Sequence, residues 1–276
     1  MKHIYLLLLF FFISLTSCHK NEELAIEDET TSSEQLQSDD VENEVQNISD
    51  AVIVGGPNFR TTAPDAILGT CAQVTIDTIG INHWNIIVDF GTTNCQSVSG
   101  KLRRGKILID LTGNYRDSGS VKVITFDNFY RNDNKIEGTK TIKNIGRNSQ
   151  NQYQWSIEAQ NMKMTKTDGQ SHTWNSTRVR TILSGFSTVT ISDDEYQITG
   201  FANGVNSKGI SFLANITQPL HRRMSCNWID SGQIQFSNSN GQERTINYGT
   251  GNCDSEVVIQ VTGKRGRTYT KTINLN

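Results

Sequence analysis

Trp84-Asn85-Ile86-Ile87-Val88-Asp89-Phe90-Gly91-Thr92-Thr93-Asn94-Cys95 reads as a strand with one apolar face that runs into a tight turn. Trp84, Ile86, Val88 and Phe90 alternate with smaller or polar positions, and in an extended chain alternate side chains share a face. The same period of two recurs along the rest of the chain. Ile107, Ile109 and Leu111 show it, as do Tyr153, Trp155, Ile157 and Ala159, then Ile210, Phe212, Ala214 and Ile216, then Val257, Ile259 and Val261. Between these runs stand Asn114 to Gly119, Asn132-Asp133-Asn134, Asp168-Gly169, Asn203-Gly204, Asn206 to Gly209 and Asn238 to Gly241, all rich in residues that favour turns. Connections this short force neighbouring strands to run antiparallel, because a parallel crossover needs a dozen or more residues. The spacing predicts an all-β body, an antiparallel meander of about a dozen strands forming a curved sheet, a sandwich or an open barrel, with at most one short N-terminal helix.

The quoted stretch also returns near the other end of the chain. Phe90-Gly91-Thr92-Thr93-Asn94-Cys95 is answered by Tyr248-Gly249-Thr250-Gly251-Asn252-Cys253, and Leu108-Ile109-Asp110-Leu111-Thr112-Gly113 by Val258-Ile259-Gln260-Val261-Thr262-Gly263. Each copy opens with a cysteine, Cys71 or Cys226, and reads as a hairpin, a Gly-Thr turn and a further strand. The related segments lie near 71–126 and 226–275, inside one continuous body over 66–276. Four cysteines remain for this body, an even number that suits disulfides in an oxidising compartment. Three pairings are open, and the symmetry of the repeat favours Cys71 with Cys95 and Cys226 with Cys253. No two of these cysteines are close in sequence and His83, His172 and His221 are scattered, so neither a metal nor a cofactor is expected.

Upstream of the body the charge changes sign. Residues 19–50 hold eleven acids and one base, whereas residue 51 onward holds 24 Lys and Arg against 17 Asp and Glu. The acidic stretch from 19 to about 40 has too few large apolar residues to offset the entropy of ordering, so it reads as a disordered spacer. Val41, Val45, Ile48 and Val52 then recur at helical spacing, which predicts a short helix over 39–53, capped by Ser38-Asp39-Asp40. With the glycine and proline residues up to Pro64, residues 18–65 form an acidic tether whose root-mean-square span is on the order of 35–40 Å.

The first residues carry an export signal: Lys2, then ten apolar residues from Ile4 to Ile13, then Leu15-Thr16-Ser17-Cys18. The apolar run falls short of the roughly twenty residues that span a bilayer, and residues 1–17 form a signal peptide. Leu15-Thr16-Ser17-Cys18 resembles the lipobox of bacterial lipoproteins. That resemblance implies cleavage before Cys18, acylation of its thiol and amino group, and an outer-membrane anchor. The following His19-Lys20-Asn21-Glu22-Glu23 is similar to the export signal of Bacteroidetes surface lipoproteins, which implies a site facing the cell exterior, with a periplasm-facing anchor as the alternative. Pro219-Leu220 through Cys226-Asn227-Trp228, with Tyr248 to Asp254, is similar to a pattern in uncharacterised Bacteroidetes lipoproteins and implies no chemistry.

Within the body, Gly-x-Ser-x-Gly, Ser-x-x-Lys, His-Glu-x-x-His and phosphate-cradling glycine loops do not occur. Asp193-Asp194-Glu195 offers acids or calcium ligands, or simply a solvated turn. Two constellations offer ligand binding. Lys101, Arg103, Arg104 and Lys106, with Lys264, Arg265 and Arg267, would suit an anionic glycan or lipid headgroup, or be ordinary charged hairpins. Trp155, His172, Trp174, Arg178 and Arg180 would suit stacking on a sugar, or be core. The reading favours a non-enzymatic binding or envelope-interaction role, with a membrane and a glycan or another envelope component as partners and no nucleic acid. A lipid-anchored hydrolase acting on glycans is the alternative.

Overall fold

The computed structural model describes residues 29–53, 65–188, 192–262 and 268–275. Among the described residues a helix, α1 (Glu29–Ile53), and a single helical turn, α2 (Asp65–Leu68), precede fourteen strands. These are β1 (Gln73–Gly80), β2 (His83–Asp89), β3 (Cys95–Gln96), β4 (Leu102–Thr112), β5 (Val121–Arg131), β6 (Asn134–Arg147) and β7 (Tyr153–Thr165), then β8 (Ser171–Ser184), β9 (Glu195–Val205), β10 (Ser211–Arg223), β11 (Ile229–Asn238), β12 (Glu243–Thr250), β13 (Glu256–Thr262) and β14 (Thr268–Asn274). All pairings are antiparallel and follow chain order, with the two-residue β3 set aside against β4. The sheet is therefore a meander with β1 and β14 at its two ends, a curved open sheet and not a closed barrel.

Its curvature wraps α1. Side chains of α1 bond to β4, β5, β8 and β12, the Glu42 carbonyl accepts from Lys140 on β6, and Lys101, just before β4, lies 5.6 Å from the ring of Trp228, just before β11. Glycines at bulges permit the bending. Gly105 has φ +82°, and a Cβ there would sit 1.9 Å from the carbonyl oxygen of Asn128 on β5. Gly200 on β9 has φ +124° and would clash with the carbonyl of Thr177 at 2.2 Å.

The two related segments occupy opposite edges of this sheet. In each, a hairpin (β1 with β2, or β11 with β12) leads through a turn and a disulfide-bonded cysteine to one more long strand, β4 or β13. The turns match in detail. The N–H of Gly91 donates to the Asp89 carboxylate at 2.8 Å, and that of Gly249 to the Asn247 amide oxygen at 2.9 Å, while the preceding Phe90 and Tyr248 are buried. Cys71 is bonded to Cys95 and Cys226 to Cys253, so each staple lies within its own segment.

Residues 29–40 correct the expected spacer: they are helical and continuous with 41–53, and α1 is buried on nearly every face. Leu36, Val41, Val45, Ile48 and Val52 pack into the apolar core. Asp39, Glu42, Glu44 and Asp50 between them are buried too, because the sheet supplies their counter-charges. The expected spacer over 19–40 thereby loses its second half, and the body begins at α1. Residues 1–28 and 54–64, with Cys18 among them, lie outside the described residues.

Candidate functional site

Alternation puts the even-numbered residues of β8 on the concave face: His172, Trp174, Ser176, Arg178, Arg180 and Ile182 are all buried. Cations thus stand in phase with aromatic and aliphatic side chains, and the same holds for Lys122 with Ile124 on β5 and Lys140 with Ile142 on β6. A buried cation without a counter-charge is costly, and α1 carries the complement. Six of its carboxylates meet eight cations of the sheet and its connections.

The contacts run the length of the helix. Glu34 accepts from Lys166 Nζ at 2.8 Å and from the Ser207 N–H at 3.0 Å, in the β7–β8 and β9–β10 turns. Asp39 pairs with Arg178 and accepts from the Tyr248 hydroxyl at 3.2 Å. Asp40 pairs with Arg131 and takes Lys101 Nζ at 2.9 Å. Glu42 accepts from Trp174 Nε1 at 2.8 Å and Ser176 Oγ at 2.9 Å, with Lys140 Nζ 3.8 Å away. Glu44 lies between Arg103 Nε and Arg131 Nε, each at 2.5 Å. Asp50 takes Lys122 Nζ at 2.6 Å and Arg180 Nη1 at 2.7 Å. A carboxylate in the last turn of a helix opposes the helix dipole, and these two cations offset that penalty.

The interior field shifts proton affinities. Burial raises the Glu44 carboxyl, but Arg131, Arg103 and Lys101 outweigh burial and hold it at about 2. Asp50 is likewise held far below the carboxylate range, Arg180 and Lys122 overcoming its burial. Burial pushes Lys140 down to about 8, with Arg178, Arg180 and Lys122 adding to it and Glu42 opposing. His172, whose Nε2 lies 3.1 Å from Ser38 Oγ, is pushed down to about 4 by burial, against the pull of Glu34. It is neutral at physiological pH.

This geometry corrects both sequence-derived constellations. Trp155 and Trp174 are only 2% and 1% exposed, so neither offers a face to a sugar. Trp155 is covered by Arg180 at 5.2 Å and stacks on Tyr115 at 6.1 Å, and His172 stacks on Trp174 at 5.3 Å. Arg178 and Arg180 are held by Asp39 and Asp50. The basic cluster divides between the two faces: Lys101 and Arg103 turn inward to Asp40 and Glu44, whereas Arg104 turns outward, pairing with Asp133 and lying 4.0 Å over the ring of Tyr130. Lys106 pairs with Asp89 at 3.4 Å, and Lys264, Arg265 and Arg267 lie outside the described residues. The anion that Lys101 and Arg103 bind is the chain's own helix. Nor is Asp193-Asp194-Glu195 a cluster of free acids: Asp194 is buried and accepts from the Tyr196 hydroxyl at 2.5 Å, and Glu195 lies 3.7 Å from His221. Among the described residues no three His, Cys, Asp or Glu side chains gather as a metal site.

The phase of the cations could have revealed this interior. Arg178 and Arg180 share parity with Trp174 and Ile182, so any sheet that buries the tryptophan buries the guanidinium groups. No protein-family model, no curated protein and no solved structure matches the chain.

Proposed function

We propose that the chain is a lipid-anchored envelope protein of the bacterial outer membrane, with a non-enzymatic binding role, whose β body is held close to the lipid. Leu15-Thr16-Ser17-Cys18 supports the anchor, and the helix lock supports the short distance between lipid and body. Residues 19–28 are the whole link between Cys18 and α1, and the first turns of α1 are fixed to the sheet by Glu34. Ten residues reach at most about 35 Å even fully extended. Acyl chains on Cys18 would give stable residence in a bilayer, and the short link would set the end of the sheet bearing Lys166 and Ser207 towards it. The concave face is committed to α1, which leaves the convex face for partners.

Fractionation of cells producing the wild-type chain and Cys18→Ala tests the anchor. Wild type should partition into the detergent phase with an amino-terminal peptide that carries acyl mass at Cys18, and the variant should be soluble. Protease added to intact cells should degrade the protein if it faces outward. An unmodified amino terminus that begins elsewhere in the chain contradicts the proposal.

A further inference from the structure

On the convex face a groove opens where β7 bulges. The register between β7 and β8 slips between Ala159 and Met162, and Asn161 takes φ +52° with its N–H donating to Asn175 Oδ1 at 2.8 Å. The resulting cavity, about 370 Å³ and open to solvent, is lined by residues 158–161 and 175–177, of which Glu158, Gln160, Asn161, Asn175 and Thr177 are exposed. Cross-strand pairing extends it sideways. Glu158 is opposite Thr177, Thr177 opposite Phe201, and Phe201 opposite Asn215, so these four share one face on adjacent strands. Phe201 is 40% exposed there, although an aromatic ring on a solvated face gains little stability by its position.

From these observations we infer that the convex face of β7–β10 is a binding site for a neutral glycan, with Phe201 as the stacking platform and Glu158, Gln160, Asn175 and Thr177 as hydrogen-bonding partners. The inference deepens the binding role proposed above. Strands lie about 4.8 Å apart, so the ring stands roughly 10 Å from the Glu158 and Gln160 strand, room for a sugar over the ring and a neighbour in the groove. Amides, a hydroxyl and a carboxylate supply both donors and acceptors for vicinal hydroxyl groups. The C–H face of a pyranose is apolar and fits an exposed ring. The groove lining carries a carboxylate and no cation, which disfavours phosphorylated, sulfated and uronic-acid chains.

Affinity electrophoresis tests the site. Detergent-extracted full-length protein is run in gels containing a soluble β-glucan, an α-glucan or a mannan, with polygalacturonate and dextran sulfate as anionic comparators. At least one neutral polymer should retard wild type; Phe201→Ala and Gln160→Ala should each weaken the interaction about tenfold, and Phe201→Tyr, which keeps a ring, should preserve it. Unchanged thermal unfolding of each variant confirms that the body is intact. Retardation by none of the neutral polymers, by the anionic ones alone, or equally by wild type and Phe201→Ala overturns the inference. The purified protein reports on the site whether or not Cys18 anchors it, so failure here is distinct from failure of the anchor.

Discussion

Replacing Glu44 by Gln tests the energetics of the helix lock at its most crowded point. The substitution keeps the volume and removes the charge between Arg103 and Arg131, each 2.5 Å away, with Lys101 at 3.4 Å. Asp40 still serves Lys101 and Arg131, but the guanidinium of Arg103 loses its carboxylate inside the protein. Two routes give the size of the effect. Breaking a buried pair by removing one partner costs about 3–5 kcal/mol. Independently, a carboxyl held at about 2 instead of its ordinary 4.5 stabilises the folded state by about 3 kcal/mol at neutral pH, since each pKa unit is about 1.4 kcal/mol. With a urea dependence of about 3 kcal/mol per molar, the unfolding midpoint should fall by about 1 M. The difference between wild type and variant should persist above pH 4.5 and vanish as pH falls through about 2, where wild-type Glu44 takes up its proton. Adding Arg103→Met should recover part of the loss, because removing both charges costs less than stranding one. A midpoint unchanged within about 0.2 M at pH 7 refutes the reasoning, because a carboxylate on a solvated tether would show that behaviour.

Acid should destabilise the protein in two stages. Between about pH 6.5 and 4 the unfolded chain binds a proton at His172 that the folded chain refuses, and between about 4.5 and 2 the Glu44 carboxylate is lost; His172→Gln should flatten the upper stage in denaturation series at fixed pH. Removing one staple with Cys226→Ser should cost about 2–5 kcal/mol, and non-reducing peptide mapping of wild type should recover the 71–95 and 226–253 pairs and no peptide that joins 71 to 253. Gly105→Ala should lower the thermal midpoint by several degrees, since its Cβ would overlap the Asn128 carbonyl at a backbone angle L residues avoid, whereas Gly100→Ala, with no atom within 4 Å, should cost less.

The strands were legible because their chemistry is local: period-two alternation and Asn-Gly turns act within a few residues, and Trp84-Ile86-Val88-Phe90 shows both a face and its end. The helical phase of Val41, Val45, Ile48 and Val52 was legible for the same reason. Residues 29–40 were not, because composition weighs a segment against water alone. Glu34, Asp39 and Asp40 look solvated until Lys166, Arg178 and Arg131 arrive from more than ninety residues away. The same omission left Trp174 and Arg178 open between an external sugar and the core: an aromatic beside a guanidinium suits a carbohydrate or a carboxylate, and only the fold puts Glu42 and Asp39 against them. The convex groove left no signal in the chain, because Phe201 and Glu158, 43 positions apart in sequence, are brought onto one face only by register across the intervening β8.

Hydrogen exchange followed by mass spectrometry over residues 29–53 of the intact protein tests the central claim most directly. With α1 enclosed by the sheet and tied at six carboxylates, amides of residues 41–52 should exchange as slowly as those of β5 and β8, by cooperative opening of the body. Exchange of this segment within seconds at neutral pH, beside a protected sheet, would mean that the acidic segment is a free tether and that the interior cations of the sheet have another partner.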